Sequence, residues 1–160
     1  MRRRIVLLLV AGLMTALLPV AAQAGGRTAS AQLTGAAVRP GPGDPDGAGS
    51  VSLTARPGQV ELCYQLAVDH ITEATGGFIQ HIESADGTGP VVYRFGLLGV
   101  YPPPIGDVSF SGGGCESHSG PGSADFKALL KGLHSHPEEY YVSFTTLDFP
   151  DGAIRGDLHS

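Results

Sequence analysis

The segment VELCYQLAV at residues 60–68 decides the fold class. Its apolar side chains occupy every second position. Because neighbouring side chains of a β-strand point to opposite faces, this alternation predicts a strand with one buried face. Residues 51–55 alternate in the same way, and the Pro57-Gly58 pair between the two segments is typical of a tight turn. The two segments are therefore predicted to pair as an antiparallel hairpin.

Further short segments have strand-like patterns and are separated by turn residues, as in the DGTG run at residues 86–89. They are residues 32–38, 77–83, 90–95, 140–146 and 153–158. Several short strands joined by glycine-rich turns predict an all-β domain. We expect an antiparallel β-sandwich or barrel with Greek-key-like connections.

One segment has helical periodicity. Its apolar residues follow the i, i+3, i+4, i+7 spacing of one helical face, and they are Phe126, Leu129, Leu130 and Leu133. Ser123 is a residue type that caps helices, and Gly132 suits the left-handed position at a helix end. These signals predict one short helix at residues 123–132 that packs on the sheet.

The first 24 residues have the pattern of an export signal. Three arginines at residues 2–4 precede an apolar run at residues 5–18, and small residues occupy the cleavage positions Ala22 and Ala24. The apolar run is shorter than the roughly 20 residues that span a membrane. We predict cleavage after Ala24, a short linker at residues 25–29 and a folded domain at residues 30–160.

The charge of the chain argues against nucleic acid as a partner. The formal charge is −5 for the whole sequence, and loss of the three leader arginines makes it −8. Phosphate binding needs clustered Lys and Arg, which this composition does not supply. Beyond the leader no apolar run approaches membrane length, so we predict no transmembrane segment in the mature chain. The expected location is secreted and extracellular.

The two cysteines, Cys63 and Cys115, are interpreted first as a disulfide, because an exported chain reaches an oxidising compartment. Such a bond would attach the glycine-rich segment at residues 106–122, interpreted as a loop, to the sheet. That loop could be a lid, a recognition loop or a plain connection. The alternative is a metal or redox thiol pair, for which the usual close cysteine spacing is missing.

Five runs of sequence, in this order, resemble the CHRD domain, first defined as the repeat in chordin. They are ELCYQLAV at 61–68, QHIE at 80–83, GPVV at 89–92, YYVSFTT at 140–146 and FPDGAIRGDL at 149–158. The match extends from about residue 30 to the C-terminus, and its most specific part is the closing PxGxIRG pattern. The resemblance implies a single all-β domain of a kind that in bacteria is usually exported and mostly lacks an established activity.

Only part of the family's histidine pattern is present. Family members commonly carry His-x-His where this chain has HIE at 81–83, and Asn-x-His where it has SFT at 143–145. His81 and Glu83 share a strand face and could hold a divalent transition metal, although such a site normally uses three or four ligands. The alternative is a partly buried His81 imidazole that is hydrogen-bonded to Glu83 or Thr145.

A second group of candidate ligands follows the predicted helix. Its members are His134 and His136, with His118, Glu138 and Glu139 as further candidates. Polar residues are common in such loops without any function, so a purely solvent-exposed role is the alternative. Whether these side chains meet His81 depends on contacts that the sequence does not show.

Arg155 lies among small and apolar residues of the last predicted strand, where a guanidinium needs a carboxylate or carbonyl partner. Asp157 lies two positions on, on the same strand face. The pair is interpreted either as an anion anchor or as a structural salt bridge.

The sequence lacks the GxSxG elbow, the phosphate-binding loop, the dinucleotide fingerprint and the HExxH motif. We therefore predict a secreted, non-catalytic binding or structural domain, without a cofactor, whose partner is an extracellular protein or glycan. The alternative is a metal-dependent enzyme of superoxide-dismutase-like class. It would use His81 and Glu83, with His118, His134 or His136.

Overall fold

The computed structural model describes residues 25–96 and 108–160, and the predicted export signal at residues 1–24 lies outside them. Within the described ranges the strands are β1 Arg27–Thr34, β2 Ala48–Arg56, β3 Glu61–Ile71, β4 Ala74–His81, β5 Val91–Arg94, β6 Val108–Ser117, β7 Tyr140–Thr146 and β8 Ile154–Asp157. One α-helix, α1 Ser123–Ser135, lies between β6 and β7. The predicted all-β class with one short helix is confirmed.

All eight described strands belong to one antiparallel sheet that curls into a half-barrel. Their order across the sheet is β5-β4-β7-β8-β1-β2-β3-β6. The first strand in the sequence therefore lies in the middle of the sheet, where Thr34 of β1 pairs with Arg155 of β8. Strands β5 and β6 form the two edges.

The β2–β3 hairpin forms as predicted, with Val51 opposite Leu66. Leu62, Leu66 and Val68 are buried and face the core, as the alternation predicts. Strand β3 begins at Glu61, one residue later than predicted, because Val60 lies in the turn with a φ of 52°.

Strand β1 is shifted from the predicted residues 32–38. It begins at Arg27, inside the predicted linker, and ends at Thr34. The chain turns at Gly35 because the backbone of Asp44 packs there, and a Cβ at Gly35 would lie 1.7 Å from the Asp44 carbonyl oxygen. The prediction of a strand through residues 35–38 was wrong, because this turn depends on a contact nine positions away.

The glycine-rich segment at residues 106–122 is only partly a loop, which corrects the sequence-based interpretation. Its described part includes β6, and Gly112 pairs with Leu66 of β3. Ladder hydrogen bonds use backbone groups, which glycine has like any other residue. The alternation of apolar and polar side chains that identifies a strand is missing in these glycines, but their backbones pair with β3.

Helix α1 buries the predicted apolar face but differs at both ends. Gly122, with a φ of 85°, precedes the helix, and Ser123 is its first residue and not its cap. At the other end the helix continues to Ser135, so Gly132 lies inside it and not at a left-handed cap. The reason is packing, because a Cβ at Gly132 would lie 1.9 Å from the Tyr140 hydroxyl oxygen.

The core lies between the concave side of the sheet and α1. The helix packs against β1 and β2, and its buried side chains join a core that extends to Phe144 of β7 and Leu33 of β1. No helix among the described residues is long and apolar enough to cross a membrane.

Candidate functional site

A cavity of about 810 Å³ lies between edge strand β5 and helix α1. All four residues of β5 border it. Because successive strand residues point to opposite faces, four consecutive ones can border one cavity only along the open edge of the strand. The opposite wall comes from α1, mainly through Phe126, Ala128 and Leu129, and the lining is mainly apolar.

A hydrogen bond between side chains connects the two edges of the sheet at this cavity. The hydroxyl of Tyr93 on β5 donates to the carboxylate of Glu116 on β6. Burial and, after it, the hydrogen bond to Glu116 raise the pKa of Tyr93 far above its ordinary value. Burial also raises the pKa of Tyr64, with a smaller contribution from the charge of Glu116. Both phenols therefore stay protonated beside a carboxylate.

Aromatic rings border the cavity on several sides. The ring of Phe126 lies 5.9 Å from that of Tyr93 and 4.9 Å from that of His118, measured between centroids. The rings of His81 and Tyr140 lie 5.0 Å apart and also line the cavity. A ligand that enters would contact mostly ring carbons and aliphatic side chains.

His81 lies at the end of β4 between two carboxylates. Its Nδ1 is 3.3 Å from Glu83 Oε1, and its Nε2 is 3.7 Å from Glu139 Oε2. The alternative contact with Thr145 does not form, because Thr145 pairs with Gly76 in the β4–β7 register and its hydroxyl bonds to Thr75 at 3.0 Å.

The side chains of His81, Glu83 and Glu139 do not surround one common point at which a metal could bind. Glu83 and Glu139 lie against different nitrogens of the same ring, so they flank the imidazole of His81. Within residues 25–96 and 108–160, the group of three potential ligands whose atoms lie within 4.8 Å of one another is Glu61, Cys63 and Cys115. The two sulfurs of that group are bonded to each other, so neither is a thiolate that could bind a metal.

The remaining candidate histidines are divided between different places. His118 lines the same cavity as His81. His134 lines a separate cavity beside Arg56 and Lys131. His136 is exposed, and its Nδ1 is 3.4 Å from Glu138 Oε1. The structure thus places one further candidate, His118, at the cavity of His81.

The predicted disulfide is present between Cys63 and Cys115, which lie directly opposite each other on β3 and β6. It attaches the glycine-containing edge strand to the body of the sheet. Arg56 lies beside it, with Nη1 at 3.5 Å from Cys63 Sγ and at 2.6 Å from Glu61 Oε2.

Arg155 is buried on the outer side of β8, with only 5% of its side chain exposed. Its Nη2 donates to Asp157 Oδ1 at 2.8 Å and to the carbonyl oxygen of Gly87 at 2.6 Å. Its guanidinium lies 3.7 Å from the ring centroid of Tyr141. These contacts join β8, β7 and the loop before β5, while the remaining nitrogen, Nη1, is buried without a hydrogen-bond partner among the described residues.

The model of the CHRD domain matches residues 29–158, nearly the whole described part of the chain. The chain belongs to the CHRD domain family. CHRD domains are in general extracellular, non-catalytic binding or structural domains. Comparison with curated proteins and with solved structures found no significant match.

Members of the CHRD family commonly carry histidines at two positions, and in this domain these positions lie at different points along the paired strands β4 and β7. His81 is opposite Tyr140, whereas Ser143 is opposite Phe78 and Thr145 is opposite Gly76. The Ser143 hydroxyl donates to Gln80 Oε1 at 2.6 Å, on the face that also carries Arg155.

Sequence reasoning missed the residues that give this CHRD domain its cavity. Tyr93 and Glu116 were not singled out, because the approach of β5 to β6 is a long-range contact without a local pattern. Phe126 was identified only as part of the apolar face of the helix, and Glu139 only as a candidate ligand beside the loop histidines. The signal available for Tyr93 was its position between Val91 and Phe95 on one face of the predicted strand 90–95.

Proposed function

We propose that this CHRD domain is an exported, non-catalytic binding domain that receives a segment of an extracellular protein in the cavity between β5 and α1. The observation that carries the proposal is an open, mainly apolar cavity along the outer edge of β5, where no other described strand pairs. Val91 and Val92 of that edge are each 40% exposed, and both border the cavity. Apolar clefts with a few polar groups are the usual form of binding sites.

A protein partner fits this lining better than a glycan. Sugar hydroxyls need many hydrogen-bonding groups, whereas aliphatic and aromatic side chains form most of the walls. The edge of β5 also offers backbone groups. Since the Phe95 N–H donates to Gly77 of β4, the alternation of an antiparallel pair directs the N–H and C=O of Arg94 away from β4. An extended segment can pair with such an edge.

The chemistry of the lining supports binding without catalysis. Ser, Thr, Cys and Lys, four of the common nucleophiles, do not occur among the described residues that line the cavity. His81 and His118 are its imidazoles, and the two carboxylates nearest His81 lie on different ring nitrogens. We propose that the domain works without a bound cofactor.

The experiment compares substitutions on the exposed side of α1. Ala128 is exposed and lines the cavity, whereas Ala124 is exposed on the same helix and does not line it. Immobilised protein with Ala128→Trp should lose the partner that unmodified protein captures from extracellular fluid, and Ala124→Trp should keep it. Protease treatment should destroy the captured partner. A partner that survives protease but not glycosidase, or that binds all three proteins equally, would overturn the proposal.

Metal analysis tests the proposal that the domain is non-catalytic and binds no metal cofactor. Protein purified without chelators should carry no stoichiometric transition metal. Stoichiometric copper, zinc or manganese that is lost in His81→Ala would favour the metal-enzyme alternative instead.

The proposed export has its own measurement. N-terminal sequencing of the protein from culture supernatant should begin at Gly25, because cleavage is predicted after Ala24. A secreted form that still carries the three leader arginines would contradict it.

A further inference from the structure

The charges in the β5–α1 cavity are mainly negative. Glu116 and Asp125 contribute carboxylates to the lining. The guanidinium of Arg94, which also borders the cavity, lies 4.8 Å from the ring centroid of Phe78, a residue outside the lining. This single positive charge is outnumbered by the two carboxylates. The cavity therefore favours a cationic group over an anionic one.

The surroundings of Glu116 suit an organic cation in particular. The carboxylate of Glu116 is half-buried and is held by the hydroxyl of Tyr93. The rings of Tyr93, Phe126 and His118 form one connected group beside it. Aromatic faces attract alkylammonium groups, and a carboxylate within such a group of rings adds a full charge. A hydrated metal ion would gain little from these ring carbons.

The geometry of the carboxylate distinguishes between the two cationic side chains of proteins. Oε2 of Glu116 already accepts the Tyr93 hydrogen bond, so the two oxygens are not equally free. A guanidinium binds best when both oxygens accept its parallel N–H groups, whereas an ammonium is a compact point charge that needs one.

We infer that the cavity receives the side-chain ammonium group of a lysine of the protein partner, beside Glu116 and the rings of Tyr93 and Phe126. The inference rests on the proposed function, because it names the group that the partner inserts. The raised pKa of Tyr93 supports it, since a protonated phenol keeps the negative charge on Glu116 alone.

The test uses two small probes that differ only in the cation. Nα-acetyl-lysine methylamide carries the ammonium group, and Nα-acetyl-norleucine methylamide has a similar aliphatic side chain without it. Amide chemical shifts of Gly122 and Ala128 report entry into the cavity, which both residues line. The lysine probe should bind about fivefold more tightly or better, and the excess should shrink as salt screens the attraction.

Glu116→Gln removes the charge at the site, and Asp148→Asn removes one from an exposed residue that does not line the cavity. Glu116→Gln should abolish the advantage of the lysine probe over the norleucine probe, while Asp148→Asn should leave that advantage unchanged. If Glu116→Gln does not fold, the salt dependence on the unmodified protein decides the question.

The outcomes separate the two proposals. Equal binding of both probes in the cavity would overturn the lysine inference and leave the proposed binding site standing. Entry of neither probe, together with unchanged partner capture by Ala128→Trp, would overturn the proposed function itself.

Discussion

The guanidinium of Arg155 donates a 2.6 Å hydrogen bond to the carbonyl oxygen of Gly87. The two residues are 68 positions apart in the sequence, and the bond attaches the loop before β5 to the middle of the sheet. The same side chain pairs with Asp157 and lies over Tyr141. The position of β5, and with it one wall of the cavity, thus depends on a buried arginine outside the cavity.

Loss of this side chain should destabilise the domain strongly. Arg155→Ala removes charge-assisted hydrogen bonds and the contact with Tyr141, so we expect the free energy of unfolding to fall by about 3 kcal/mol. Urea denaturation measures the change. Arg56→Ala is the matched control, because its ion pair with Glu61 is more exposed, with 38% of the arginine side chain accessible. That substitution should cost less than about 1 kcal/mol. Equal losses of unfolding free energy in the two variants would contradict a strong stabilising role for Arg155.

Removal of the disulfide should loosen the edge strand β6 first. The bond joins residues separated by 52 positions, for which loop-closure entropy predicts a stabilisation of about 4 kcal/mol. The double substitution Cys63→Ala/Cys115→Ala should lower the free energy of unfolding by a similar amount in urea denaturation. Amide hydrogen exchange at Gly112 should rise before exchange at Leu53 of β2. A loss below about 1 kcal/mol would show that backbone pairing alone holds β6.

Gly132→Ala should be destabilising although alanine is the better helix former. Alanine in a helix interior is favoured by about 1 kcal/mol, but the added Cβ would meet the Tyr140 hydroxyl at 1.9 Å. We expect a net loss of about 2 kcal/mol. In a Tyr140→Phe background the loss should be smaller, because the closest atom is gone. A double-mutant cycle with thermal or urea unfolding gives the coupling, and an increase in stability for Gly132→Ala alone would contradict the packing argument.

The loop before β5 should lose its order in acid. Hydrogen bonds from Ser84 and then Thr88 lower the pKa of Asp86 to about 2 from 3.8. Since the folded pKa lies below the unfolded one, the stabilisation is complete above 3.8 and is lost as the pH falls towards 2. Carboxyl carbon shifts of Asp86 in an NMR titration measure this. Ser84→Ala should raise the pKa, whereas Ser117→Ala, at an exposed serine on β6, should not.

Much of the fold could be predicted because its signals are local. Strand β7 has the predicted bounds, 140–146, and α1 buries the predicted face of Phe126 and Leu130. The disulfide followed from an even number of cysteines and the expected destination. Strand β6 could not be recognised, because its glycines have no side-chain alternation although their backbones pair normally.

The candidate site was less predictable for a related reason. His81 and His118 were identified by residue type, but the sequence does not show that both border one cavity with Tyr93 and Glu116. That arrangement depends on how far the sheet curls, which brings the edges β5 and β6 together. Curvature is a property of the assembled strands and leaves no pattern in either of them.

The central place of β1 has a consequence for how the domain is made. Strand β1 ends at Thr34, but one of its two neighbours in the sheet is β8, at Ile154–Asp157. The sheet therefore cannot close until the last described strand is available. Pairing of such distant segments is slow, so we expect closure of the sheet to be a late step in folding.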